Sequence, residues 1–205
     1  MERREFKRRP RPPPEEAVYV LDYLPYGDPI RGIRHPLVQS IGEKRFILVE
    51  VRPVGDIRGI SLVPGERIVL KNSLESSMFS HPRILSYEEL SAAAKKELPL
   101  VVEKIVRSQE ERFVDFFNYA RPISKKAHEL DLLKGIGKRT LWKILEERRK
   151  KRFESFKDIE ERVGIDPVKL IVERIIEEIS EPQNYYLFVR PPRRARMRRS
   201  RGYGY

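Results

Sequence analysis

Through the first seventy residues apolar positions sit in short runs or alternate with polar ones, and beyond that they recur every three or four residues. Ala17, Tyr19, Leu21 and Tyr23 interleave with Val18, Val20 and Asp22 and stop at Pro25-Tyr26-Gly27. Leu37-Val38-Gln39-Ser40 meets a Gly42-Glu43-Lys44 turn and then the run Phe46 to Val51, while Pro64-Gly65-Glu66 turns into Arg67-Ile68-Val69-Leu70. Short strands punctuated by Gly and Pro at this spacing predict a small barrel. Ser86-Tyr87-Glu88-Glu89 has the form of a capping box and predicts a short helix through Ala92 to Leu98. Pro99 then opens a longer one, with Val102, Val106, Phe113 and Phe117 on one stripe, that ends at Arg121-Pro122. A domain boundary is placed there.

The second half predicts two helical hairpins in tandem. Ser124 caps a helix carrying Ala127, Leu130 and Leu133. A Gly135-Ile136-Gly137 turn follows, then a helix from about Lys138 to Arg149 with Leu141, Ile144 and Leu145 at helical spacing. Ser155 opens the second copy, with Ile159 and Val163, the turn Gly164-Ile165-Asp166-Pro167, and a helix from Val168 to Ile179. Tyr185 to Arg190 reads as one more strand. A lone strand is not stable, so it is expected to return to the N-terminal sheet and bring the two chain ends together.

The first turn carries the candidate chemistry. Glycines allow backbone conformations closed to other residues and let another backbone come close. The helix that follows starts with N–H groups lacking intrahelical partners, beside the positive end of its dipole. Lys134, Gly135, Ile136, Gly137, Lys138, Arg139 and Thr140 together make a phosphate site built of main chain and edged with cations. This stretch resembles the helix-hairpin-helix motif of proteins that grip a nucleic-acid backbone without reading its sequence. The second copy departs from that motif. Asp166 replaces the second glycine, puts an anion at the mouth, and with Pro167 forms a good N-cap and first-turn pair. Binding is therefore assigned to the first turn and packing to the second.

Charge strengthens the assignment. The 205-residue chain has a formal net charge of +12, concentrated at its ends. Residues 1–14 hold six cations and two anions; residues 190–205 hold seven arginines and no acid, leaving the body between them close to neutral. Arms containing Arg8, Arg9 and Arg11 at one end and Arg193, Arg194, Arg196, Arg198 and Arg199 at the other suit sequence-independent phosphate contacts. A membrane role is not expected, because neither end carries an amphipathic helix or lipidation site. No apolar signal segment follows the start, which predicts a cytosolic protein. Cysteine is absent, removing disulfides and thiolate chemistry. Three Asn and three Gln stand against 43 Lys+Arg and 31 Asp+Glu, a balance suggestive of a heat-loving source.

Leu62 to Leu70 resembles a recurrent turn-and-strand of oligonucleotide-binding (OB) barrels, and Tyr19, Tyr23, Tyr26 and Phe46 can stack on bases wherever they face outward, with at least half of them expected in the core. The chain as a whole resembles an uncharacterised archaeal family of about 200 residues described as predicted nucleotide- or RNA-binding proteins. The expected fold class is α+β: a small OB-like β-barrel with associated helices plus an all-α tandem helix-hairpin-helix domain. Its parts are a basic arm (1–14), the barrel with two helices (15–121), the tandem hairpins (122–182), and a returning strand with an Arg-rich tail (183–205). The family resemblance leans toward RNA and the hairpin motif toward duplex DNA, so both stay open.

No enzyme is expected. His35, His81 and His128 form no metal spacing. Adjacent acids such as Glu146-Glu147 and Glu177-Glu178 point about 100° apart on a helix and read as solvated faces. No phosphate-loop or nucleophile motif occurs, so no catalytic residue, metal or cofactor is assigned. Asp22, Glu50 and Asp56 are the acids an unrecognised nuclease would assemble. The remaining alternative is an adaptor whose partners are ribosome or polymerase components.

Overall fold

The computed structural model describes residues 15–54, 62–70, 78–125 and 127–190. Five strands, β1 (Ala17–Leu24), β2 (Leu37–Gly42), β3 (Leu48–Pro53), β4 (Arg67–Val69) and β5 (Phe79–Ile84), form an antiparallel sheet in the order β4-β1-β2-β3-β5. The apolar run of β1 has a physical reason: the strand is buried on both faces. Tyr19 and Leu21 pack with Ile41 and Leu48 against helices, while Val18 and Val20 join Val38, Val49, Val51, Ile68 and Phe79 in a second cluster on the other side.

Among the described residues the sheet is open rather than the closed barrel expected. Closure would pair β4 with β5. β4 is only three residues long, and Pro82 removes a donor from β5. The same proline hides β5 from sequence reading, yet an edge strand tolerates it.

Five α-helices lie among the described residues, α1 (Ala92–Ser108), α2 (Glu110–Tyr119), α3 (Lys138–Lys150), α4 (Phe156–Val163) and α5 (Pro167–Ser180); α1 packs on β1 and α5 packs on α1. Only half of the Ser86 box forms: the Glu89 carboxylate accepts from the Ser86 N–H at 2.8 Å, while the Glu89 N–H goes to the Ser86 carbonyl and closes a turn. The helix starts later, where Ser91 Oγ accepts from Ala94 N–H. It then runs through Pro99 instead of starting there. Burial of Leu98, Val101, Val102, Ile105 and Val106 on one side offsets the lost hydrogen bond. Gln109 divides α1 from α2. One continuous buried cluster extends from β1 through α1 and α2 to Ile144, Val163, Ile171 and Ile175 in the last three helices.

The expected helix after Ser124 is absent. Residues Pro122–Ser124 (β6) and Ala127–His128 (β7) pair as a small hairpin, followed by a single 3-10 turn over Glu129–Leu132. His128 Nδ1 accepts from Leu130 N–H at 3.1 Å and Asp131 Oδ2 accepts from His128 N–H at 2.7 Å, so a side-chain cap takes the place of further helix. Leu130 and Leu133 are buried as their spacing required.

The expected last strand is also absent. Tyr185 to Arg190 does return to the N-terminal module, where the Arg190 N–H reaches Arg45 O, but as a strap in which three backbone N–H groups find one carboxylate rather than a neighbouring strand. Glu178 accepts from Leu187 at 2.6 Å, Phe188 at 3.0 Å and Val189 at 2.8 Å. It also pairs with buried Arg174 at 2.9 Å. Glu178 is therefore interior, against the solvated-face reading of the Glu177-Glu178 pair. Phe188 completes the anchor, with its ring 5.5 Å from Phe113 and 5.0 Å from Phe116.

Candidate functional site

Two turns of like backbone stand at the starts of α3 and α5. Gly135 has φ +93 and Gly164 φ +82, the left-handed region that favours glycine. Each is followed by an isoleucine packed into or against the core, Ile136 or Ile165, and then by the N-cap residue. The N-caps differ. Asp166 accepts from Lys169 N–H at 3.0 Å, and Pro167 at the first helical position has no N–H to place. Gly137 caps α3 with no side chain, and the first turn of α3 holds no acid. The N–H groups of Lys138, Arg139 and Thr140 have no acceptor among the described residues.

Around that bare end Lys138 and Arg139 are exposed, and Thr140 is half-buried. Lys134 is exposed and lies 3.4 Å from the Glu177 carboxylate on α5. Ile136 is buried and donates its N–H to Leu133 O, so it fixes the turn and presents nothing to solvent. A Cβ on Gly137 would meet nothing within 4 Å, whereas one on Gly135 would touch only the Leu170 side chain at 3.6 Å. Space does not demand glycine at 137; an approaching group does benefit from it.

Three other cations of α3, Lys143, Arg148 and Lys150, already have partners in the fold. Lys143 Nζ donates to Val163 O at 2.8 Å and Arg148 to Phe117 O and Ala120 O. Lys150 pairs with Glu146 and Glu147. Trp142 was not signalled by the charge-based reading; it is 65% exposed on α3. A lone tryptophan off the Leu141, Ile144, Leu145 stripe was the available sequence signal.

The chain ends converge. Arg45, in the turn between β2 and β3, donates its N–H to Glu15 Oε1 at 2.9 Å and accepts from Arg190 N–H at 3.1 Å. Glu15 lies over Gly42, where a Cβ would fall 2.1 Å from its Cγ. Burial raises the Glu15 carboxyl above its ordinary value, against the opposing Arg45 and Ile47 N–H groups. Gln109 and Arg112 donate to Glu43 O and Lys44 O from the helical side. Glu15 and Arg190, the described residues that border the two arms, thus meet at one turn. The arm residues Arg8, Arg9, Arg11, Arg193, Arg194, Arg196, Arg198 and Arg199 lie outside the described residues. α5 links the two regions, since Leu170 and Glu177 face the first turn and Glu178 holds the strap.

Of the four candidate aromatics, Tyr19 and Phe46 are core, Tyr23 is half-buried, and Tyr26 is 90% exposed. The candidate acids serve the scaffold: Asp22 accepts from Ser91 Oγ at 2.6 Å, and Glu50 pairs with Arg31 and Arg83. Asp56 lies outside the described residues. Among the described residues no three His, Asp or Glu side chains cluster to hold a metal, and no helix is long and apolar enough to cross a membrane.

Residues 14–190 match the family model described as protein of unknown function DUF655. The chain belongs to the DUF655 family. It is 43% identical over 192 residues to the uncharacterized protein MJ0038 of Methanocaldococcus jannaschii, an alignment that covers 92% of this chain and 87% of that one. A crystal structure of a DUF655 protein, Af1531 of Archaeoglobus fulgidus, superposes with a TM-score of 0.77 at 43% identity, over 86% of this chain and all of that one. The match to the DUF655 family model thus spans the sheet, both turns and the strap.

Proposed function

We propose that this DUF655 protein grips nucleic-acid backbones without reading their sequence. The observation that carries the reading is the bare start of α3: a glycine-capped helix with no acid in its first turn and exposed Lys138 and Arg139 beside the open N–H groups. A phosphate placed there gains several main-chain donors and the positive end of the helix dipole. On this reading the two like turns are a tandem helix-hairpin-helix in which the first arm of the first unit has shrunk to a 3-10 turn. The open sheet is an OB-like half-barrel that supports them. The arms, rooted together at Arg45, add phosphate contacts of their own.

The test is binding of the full chain to labelled single-stranded RNA, single-stranded DNA and duplex DNA over a salt series. Neutralising about five phosphates gives a slope of log affinity against log salt near −4.5 on B-DNA and near −3.5 on single strands. An adaptor for ribosome or polymerase proteins would bind none of the three probes at moderate salt, and that result would end the nucleic-acid reading.

A further inference from the structure

Trp142 is the chain's only tryptophan, and it lies outside the hydrophobic clusters of the described residues. It is 65% exposed and takes no place in the buried cluster to which Leu141, Ile144 and Leu145 of the same helix contribute. A large apolar ring left in water on an otherwise charged helix costs free energy that no contact among the described residues recovers.

Its position supplies the reason. Trp142 lies four residues after Lys138 and three after Arg139, so all three share one face of α3. Four residues span about 6 Å along a helix. The Cα–Cβ bond tilts toward the helix N-terminus, which leans the indole back over the first turn and its open N–H groups. Lys138, Arg139 and Arg149 supply charge complementary to a polyanion along this helix, and none of them has a carboxylate partner among the described residues. Glu146, the acid one turn beyond, is neutralised by Lys150 at 3.1 Å. A phosphate at the Gly137 turn would thus have a flat aromatic surface about one nucleotide's breadth away, flanked by cations.

We propose that Trp142 stacks on an unpaired base of the strand whose phosphate sits at the Gly137 turn. The ligand is then a nucleic acid with accessible bases, such as a single strand, overhang or loop, rather than an unbroken duplex. This rests on the backbone-gripping reading above and narrows it to a substrate class. Stacking is indifferent to sequence, because every base has a π-face, so it adds affinity without adding a sequence code.

The experiment uses the full chain with fluorescein-labelled oligo-U, oligo-dT and a blunt, loop-free DNA duplex, followed by probe anisotropy and by tryptophan emission. Emission reports on one residue only. The single strands should quench it over the same concentrations that raise anisotropy, and the duplex should not. Trp142→Ala should weaken single-strand binding by about five- to a hundredfold, leave duplex binding nearly unchanged, and be largely rescued by Trp142→Phe. The relative strength of oligo-U and oligo-dT then distinguishes RNA from DNA. Anisotropy that rises with constant emission, together with wild-type affinity in Trp142→Ala, overturns stacking and leaves backbone gripping intact. Equal quenching by the duplex overturns the unpaired-base claim. Absence of binding to all three probes overturns both proposals.

Discussion

The turns Gly135-Ile136-Gly137-Lys138 and Gly164-Ile165-Asp166-Pro167 share a left-handed glycine, an inward isoleucine and a helix start, yet they leave different groups open. The second satisfies itself: Asp166 takes up an N–H, and Pro167 removes another. The first leaves three N–H groups without a cap and surrounds them with cations. Two residues, Gly137-Lys138 against Asp166-Pro167, separate a turn that leaves its first N–H groups uncapped from one that completes itself. The lesson is general: a helix start becomes a site when its own N-cap declines to fill it.

Substituting across that difference should give the largest effect. Gly137→Asp places in the first turn the cap that the second already has, and Gly137 has the extended backbone, φ −85 and ψ 175, that an Asp cap adopts. Binding to labelled single strands should fall about tenfold or more while the melting temperature holds or rises, because a repelled phosphate is replaced by an internal cap. Affinity and stability moving together would break the comparison.

The shared features should respond alike. Gly135→Ala and Gly164→Ala each force a side chain into the left-handed region, at a cost of about 1–2 kcal/mol in urea unfolding. Markedly unequal losses would mean that the two backbones are not equivalent. Asp166→Ala should cost about 1 kcal/mol of stability and leave affinity unchanged.

The lead-ins to the two turns also differ, and pH should separate them. Ser155 caps α4 with a hydroxyl, whereas the 3-10 turn is capped by His128 Nδ1. Burial and the Arg148 charge hold the His128 imidazole below its ordinary 6.5, despite Asp131 and Glu129. A lowered pKa means that its contribution is fully present above about 6.5 and is lost as pH falls through the folded value. Acidification from neutral pH should therefore loosen residues near His128, read by amide hydrogen exchange, and His128→Ser should flatten that dependence. The smallest effect is expected from Lys134→Ala. This removes an exposed pair with Glu177 worth less than about 1 kcal/mol and should lower affinity slightly.

What the sequence made legible was local. The strand runs of β1 to β4, the Ser155 cap and the Asp166-Pro167 helix start rest on neighbours within a few residues, and all are found in place. What it concealed depended on distant partners. Tyr185 to Val189 looked like a strand because its backbone must be paired, but the acceptor is Glu178 on α5. The spacing of Ala127, Leu130 and Leu133 satisfied a helix template, yet β6 pairing and the His128 cap compete for the same residues. At the candidate site the glycines and cations were readable. That Lys143 and Arg148 hold main-chain carbonyls, while Lys138 and Arg139 stay exposed, required the folded neighbours.

The most direct test of the bare-turn account follows individual backbone amides by NMR as a short single-stranded oligonucleotide is added to the full chain. The amides of Lys138, Arg139 and Thr140 should shift, and those of Val168, Lys169 and Leu170 at the self-capped turn should stay in place. Saturable binding that leaves Lys138 to Thr140 unmoved, or that moves both turns equally, would contradict it and transfer the activity to the arms.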